Sequence, residues 1–343
     1  MRILVLHAWL KGNLGDVLQL TVLLSALREL EPRVLDLAGF PARPAPETDE
    51  VLRLADRYLS DPFPWYWHVA PAFVGRVVFE PWWRKQRTAL FSRYDAIVCA
   101  PGPYLAAYDR RVTSALSDIA IASDLGAPVV LSSHSIGPLQ PEGLAAVARA
   151  TVRIAREPAT YRYLIANRMS VVLSADLAFL YPYASSAGTR AQGNFEPPYR
   201  LVFLRSNNLN AHALRLEGGA LFDGDRLIAR PSNHPLVLAT SDRRRDERFL
   251  SKAARHLGVP WVACRSVPEL VQLIRGSSGV VSDRYHPAIC AAALGKPAQV
   301  LSNREPHKMQ GLESLLADHT LEELQELART GLRTVRDALR RHI

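Results

Sequence analysis

The chain has 343 residues, 48% of them hydrophobic and 22% charged, enough for two domains with full cores and too apolar for wholesale disorder or a collagenous or low-complexity class. Lys and Arg number 42 against 33 Asp and Glu, a net charge of +9, which favours anionic partners such as phosphates, phospholipid surfaces or nucleic acid. No dense basic run marks a nucleic-acid tail, so no nucleic-acid partner is expected.

Residues 2–7 are a short apolar run and predict a buried strand. Gly12-Asn13-Leu14-Gly15-Asp16 follows, then a helical apolar spacing over 17–30 and a second strand over 34–37. Strand, glycine-bearing loop, helix and strand make a βαβ unit. Residues 58–87 carry Trp65, Trp67, Trp82 and Trp83 with Pro62, Pro64, Pro71 and Pro81. They predict either an insertion tucked against the first domain or an aromatic platform for a sugar or lipid acceptor. Strands are expected at 96–99, 129–132 and 171–173, with helices over 110–125 and 141–153 between them. Small, Pro- and Gly-rich composition at 185–199 predicts a linker. A second series follows, with strands at 201–204, 236–239, 261–263, 279–282 and 298–301 and helices at 246–257, 267–275 and 286–294. The mixed-charge run 242–248 reads as a solvated helix start. Residues 321–343 form a basic amphipathic helix expected to pack on the body.

The expected architecture is therefore α/β, with two Rossmann-like domains facing a cleft: residues 1–190, residues 200–320, and a C-terminal helix over 321–343. No apolar run reaches ~18 residues and no leader is recognisable, so a cytoplasmic protein is expected, with contact at the inner membrane face as the one alternative. Cys99, Cys264 and Cys290 lack disulfide or metal spacing and read as buried apolar side chains, and no metal is expected.

Several motifs fall where strands hand over to helices. Glycines in Gly12–Asp16 would let backbone approach a ligand, with helix N–H groups offered to an anion; the bland alternative is a tight turn capped by Asp16. Ser282-Asp283-Arg284-Tyr285-His286-Pro287 places an Arg able to grip phosphate or carboxylate beside a His able to move a proton. An ion-paired Arg284 and a helix-capping His286 are the structural alternative. Arg205 ends the first strand of the second half and faces the expected cleft mouth. His134, at the end of 129–132, is either a second proton carrier or a backbone-bonded loop residue.

Taken in order, these motifs resemble the polysaccharide pyruvyl transferase family. The resemblance runs over residues ~12–312 of the chain. It begins at Gly12-Asn13-Leu14-Gly15-Asp16 and passes through Ser135-Ile136-Gly137-Pro138-Leu139 and Arg156-Glu157-Pro158-Ala159-Thr160-Tyr161. Asp176-Leu177-Ala178-Phe179-Leu180 comes next, then Ser282-Asp283-Arg284-Tyr285-His286 and Ala293-Leu294-Gly295-Lys296-Pro297. It closes on His307-Lys308 and Gln310-Gly311-Leu312.

The resemblance implies a GT-B-like pair of Rossmann domains. It implies transfer of the pyruvyl group of phosphoenolpyruvate (PEP) to a sugar diol as a cyclic ketal, with release of phosphate and no cofactor. PEP would meet Arg205, Arg284 and Tyr285. His286 would be the general acid and His134 the base. Asn13, Gly15, Asp16 and Tyr104 would stand on the acceptor side, which would take a sugar, glycan or lipid-linked sugar. Two departures stand out: the family's glycine-rich loop reads Ala100-Pro101-Gly102-Pro103-Tyr104-Leu105, and Tyr285 replaces the usual Leu. The alternatives are a GT-B glycosyltransferase using a nucleotide-sugar, and an inactive glycan-binding relative.

Overall fold

The computed structural model describes residues 1–9, 12–36, 54, 57–60, 80–106, 112–185, 196–206, 209, 211–301 and 306–341. Trp65, Trp67 and most of the expected linker lie outside the described residues. The chain divides into two units. The first comprises Met1–Lys11, Gln19–Leu180 and Leu324–Ile343; the second comprises Gly12–Leu18 and Tyr181–Glu323.

In the first unit the strands are β1 (Ile3–Ala8), β2 (Arg33–Asp36), β3 (Arg57–Ser60), β4 (Ala96–Cys99), β5 (Gly102–Leu105), β6 (Val129–Ile136), β7 (Val152–Ala155) and β8 (Val172–Leu173). They pair in parallel in the order β3-β2-β1-β4-β6-β7-β8, with β5 added beside β6. β1 and β4 are buried along their whole length, as expected of strands covered on both faces. Helices α1 (Leu14–Leu27), α2 (Glu80–Phe91), α3 (Val112–Asp124), α4 (Pro141–Ala148) and α5 (Pro158–Ala166) connect them. Pro141 and Pro158 sit in the first turns of α4 and α5, where a missing N–H costs nothing. The expected helix over 141–153 stops at 148, because Val152-Arg153-Ile154-Ala155 turns back into the sheet as β7.

The second unit holds β9 (Tyr199–Phe203), an antiparallel meander of β10 (Leu214–Glu217), β11 (Ala220–Asp223) and β12 (Arg226–Ala229), then β13 (Leu236–Thr240), β14 (Trp261–Ala263), β15 (Ser277–Ser282) and β16 (Ala298–Val300). Its parallel sheet runs β14-β13-β9-β15-β16. Helices α6 (Arg243–Leu257), α7 (Val267–Arg275), α8 (Tyr285–Ala293) and α9 (Pro306–Asp318) complete it. Ser266 caps α7 by accepting from the Glu269 amide. The meander is absent from the sequence expectations. Its strands are four residues long, too short for alternation to stand out.

Numbered within each unit, both parallel sheets begin 3-2-1-4, the Rossmann order, so each has a switch point where its first strand meets its fourth. These points lie between β1 and β4 in the first unit and between β9 and β15 in the second. The expected pair of Rossmann-like units of the GT-B class is therefore the architecture found.

The last helix, α10 (Leu321–Arg340), belongs with the first unit. Leu324, Ala328, Val335 and Leu339 are buried at helical spacing. Gly331 allows close approach: a Cβ there would fall 2.3 Å from Ser174 Oγ and 2.9 Å from Ser174 Cβ.

Candidate functional site

At the switch point of the second unit, Arg205 follows β9 and Arg284 follows β15. The Arg205 amide donates to Asp283 Oδ2 at 3.0 Å, tying the two loops together. The Ser282 hydroxyl accepts from the Arg284 amide at 3.0 Å and donates to the Arg284 carbonyl at 2.7 Å. That clasp holds Arg284 extended at the N-cap of α8 and starts the helix at Tyr285.

The Arg284 side chain is buried and pairs through Nη2 with Asp246; Nη1 lies 3.7 Å from Asp242 Oδ2. Burial pushes the guanidinium down to about 9, opposed by Asp242 and Asp16 and reinforced by Arg205 and Arg245. It therefore remains charged near neutral pH. Its Nε is a buried donor with no hydrogen-bond partner among the described residues.

Asp246 is a hub. Oδ1 accepts from the Ser206 amide at 3.0 Å, and Oδ2 accepts from Thr240 Oγ1 at 3.1 Å and from Arg284. One carboxylate thus gathers the loops after β9, β13 and β15. The expectation of a solvated helix start over 242–248 holds for Arg244, Arg245 and Arg248, which are exposed, and fails for Asp242 and Asp246, which are both buried. Sequence alone shows two Asp and a Glu among arginines. The available signal for Asp246 was its place in the first turn of a helix that follows a buried strand.

Tyr285 and His286 are buried in the first turn of α8, their rings edge to face at 5.5 Å. Lys308, from the closing motif, lies over the Tyr285 ring at 5.1 Å. Asn13, Gly15 and Asp16, expected on the acceptor side, cluster with this same unit. The Leu14 amide donates to the Ser241 carbonyl at 2.9 Å, and Asn13 bridges to Asp242. Asn13 Oδ1 accepts from the Gly15 amide at 3.3 Å, while the Asp16 amide donates to the Asn13 carbonyl at 3.1 Å. The expectation that this helix start offers open N–H groups to an anion is therefore corrected. Leu14, Gly15 and Asp16 already have acceptors, and Asn13 rather than Asp16 supplies the cap.

A separate polar group occupies the switch point of the first unit. His7, in β1, adopts a left-handed backbone at φ 63°, and Ser133, beside His134, does so at 49°. Such conformations cost roughly 1–2 kcal/mol in a non-glycine residue and persist only where the surroundings impose them. His7 Nε2 meets Asp118 Oδ2 at 3.0 Å, and Arg87 Nε reaches Asp118 Oδ1 at 3.0 Å. The Arg87 guanidinium lies over the Trp83 ring at 5.3 Å. Trp83 is thus a buried support rather than an open platform, whereas Trp82 is exposed.

Tyr104 stands edge to face with both His7 and His134, at 5.0 Å each. Its hydroxyl donates to the Ala100 carbonyl at 2.6 Å and meets His134 Nε2 at 2.6 Å. Nδ1 of the His134 ring is buried. Burial lowers the His134 pKa well below its usual value, with His7 and Arg156 nearby adding to this and a hydrogen bond to the Ser132 backbone opposing it. His134 is therefore neutral at pH 7. Sequence reasoning missed His7, Asp118 and Arg87: the histidine is hidden inside an apolar strand and its partners lie more than 70 residues away.

Three further motifs meet in one buried network of the first unit. Arg156 donates from Nε to Ser135 Oγ at 2.7 Å and from Nη1 to Asp176 Oδ2 at 2.9 Å. Glu157 accepts from Ser135 Oγ and Thr160 Oγ1. These motifs hold β6, α5 and the segment after β8 together. Among the described residues no three His, Cys, Asp or Glu side chains gather as metal ligands would. The three cysteines are free and buried, and burial pushes the Cys99 and Cys264 thiols up.

Two Rossmann-like units, one with an Arg-x-His corner at its switch point and the other with two histidines flanking Tyr104, define a GT-B-class protein. The family model for polysaccharide pyruvyl transferase matches residues 13–305, and the chain belongs to that family. No curated protein matches it. Among solved structures, the UDP-GlcNAc 2-epimerase from Methanocaldococcus jannaschii, in complex with UDP-GlcNAc and UDP, is similar at 10% identity and a TM-score of 0.56, with 98% of this chain and 99% of that one covered. The UDP-N-acetylglucosamine 2-epimerase from Rickettsia bellii is similar at 12% identity and 0.56, covering 99% and 96%. Anabaena Alr3699/HepE, in complex with UDP and glucose, is similar at 14% identity and 0.53, covering 99% of each chain. At these identities the likeness is one of fold.

Proposed function

We propose that the chain transfers the pyruvyl group of PEP to two hydroxyls of a sugar, forming a cyclic ketal and releasing phosphate. The observation that carries this reading is the buried Arg284–His286 corner at the switch point of the second unit, in a chain of this family. Arg284 and Arg205 would bind the carboxylate and phosphate of PEP, and the buried Nε of Arg284 is a donor suited to such an anion. A sugar hydroxyl oxygen bonds to C2 of PEP while its proton passes to a base. His286 delivers a proton to the methylene carbon, which becomes a methyl group. Phosphate departs with the C–O bonding pair, and the second hydroxyl adds to C2 and loses its proton. Atoms and charge balance without a redox change, so the step needs no redox cofactor.

His134, neutral at pH 7, is the base in this reading. His7 is the second candidate, because the buried Asp118 carboxylate behind it would stabilise the imidazolium that forms. The acceptor is a sugar, glycan or lipid-linked sugar. The last of these would bring the protein to a membrane face; no described helix is long and apolar enough to cross a membrane.

The test is a thermal-unfolding series with millimolar PEP beside UDP-, GDP- and CMP-sugars. A ligand at ~100 times its dissociation constant adds about 2.7 kcal/mol, readily seen in the melting temperature. Stabilisation by PEP is expected. Stabilisation by a nucleotide-sugar and not by PEP would replace this reading with a glycosyltransferase.

A further inference from the structure

Gly15 lies within the α-helix Leu14–Leu27, where intrinsic propensity favours almost any other residue. A glycine there calls for a cause. It has no left-handed φ that would demand glycine. Nor does it open the backbone to an anion, since its amide is bonded to Asn13 Oδ1. What remains is contact. A Cβ at residue 15 would fall 1.9 Å from Nδ1, 2.3 Å from Cγ and 2.8 Å from Cβ of His286. The clash reaches the root of the His286 side chain, so turning the ring does not relieve it. His286 is itself buried, with the Tyr285 ring edge to face beside it.

The turn that carries Gly15 is anchored on the second unit. The Leu14 amide donates to Ser241, and Asn13 bridges to Asp242, the residue 3.7 Å from Arg284. Asn13 Nδ2 donates to Asp16 Oδ2 at 2.8 Å, closing the turn on itself. The first turn of α1 is thus a fixed wall beside the imidazole, and it is bonded to the same loop that supplies a partner of Arg284.

We propose that Gly15 is a positioning residue for His286: the bare Cα of the α1 first turn forms the surface on which the imidazole rests, and so sets its direction. The inference deepens the pyruvyl-transfer reading by giving the Gly12–Asp16 motif a role toward the proposed acid rather than toward the acceptor. It makes no use of the helix start as an anion site.

The test combines a double-mutant cycle with a spectroscopic signature. Melting temperatures are measured for the full chain, Gly15→Ala, His286→Ala and the double variant. Imidazole resonances are recorded on histidine-labelled protein, with His286 assigned from its loss in His286→Ala. Gly15→Ala is expected to lower the melting temperature in the parent and far less in the His286→Ala background, which leaves room for the methyl group. It is also expected to displace the His286 resonance, leaving the His134 resonance in place. Equal losses in both backgrounds, or an unmoved His286 resonance, would overturn the proposal. Should Gly15→Ala fold too poorly for spectroscopy, Gly15→Ala in the His286→Ala background provides the check: restored folding there supports the contact, and continued failure overturns it. PEP is then added to the parent. If PEP leaves the His286 resonance unmoved, the pyruvyl-transfer reading fails, while the coupling between residues 15 and 286 still decides the positioning role.

Discussion

Replacing Asp246 by Asn removes one charge from the hub of the second unit with little change in shape. The amide oxygen can still accept from Ser206, so the perturbation falls on Arg284 and Thr240. Breaking a buried ion pair by removing one partner costs about 3–5 kcal/mol, because the other charge stays desolvated. Asp242, 3.7 Å from Arg284, remains as partial compensation. At an effective dielectric constant of 20 such a pair still interacts by roughly 4–5 kcal/mol. The expected loss is therefore near the lower bound, about 3 kcal/mol, or a fall of roughly 6–12 °C in the transition that contains the second unit. Differential scanning calorimetry and urea titration would measure it. The double variant Asp246→Leu with Arg284→Met should recover most of the loss, since a buried pair exchanged for apolar groups is often neutral. A single variant within about 1 kcal/mol of the parent, or a double variant no better than the single, would refute the hub.

Gly331→Ala should cost about 1–2 kcal/mol: overpacking against Ser174 outweighs the better helix propensity of Ala, and a denaturation midpoint at or above the parent's would contradict that. The burial of neutral His134 sets an acid limit on stability. Its folded pKa lies below 6.5, so below pH 6.5 the unfolded chain binds a proton that the folded chain does not. Its contribution is full above that pH and is lost as pH falls, by up to about 1.4 kcal/mol per unit. His134→Gln should flatten this limb, and an unchanged acid profile would show that other groups set it. Arg284→Ala should abolish stabilisation by PEP, and an unaltered PEP shift would remove Arg284 from the donor site. With an acceptor in hand, phosphate release by His134→Gln and His7→Gln separates the two bases: the variant that keeps PEP binding and loses turnover identifies the proton acceptor.

Much of the molecule was legible in the sequence, for physical reasons. Buried parallel strands must be continuously apolar, so 96–99 and 129–132 stand out, and glycine and proline mark where they end. An Arg and a His two residues apart mark such an end, and both lie at the switch point of the second unit, where Arg284 is also ion-paired with Asp246, the structural alternative for that residue. Family membership was likewise carried by local strings in order.

Tertiary structure decided which residues meet. Gly12–Asp16 reads as part of the first βαβ unit, yet its contacts are with the second unit, beside His286. Asp246 reads as a surface residue, yet it binds three loops and Arg284. His7 reads as one more strand position, yet it faces a carboxylate more than 100 residues away. A sequence records charge and periodicity over a few neighbours. Which side chain faces a given charge depends on how distant loops gather at the ends of a sheet, and only the fold settles that.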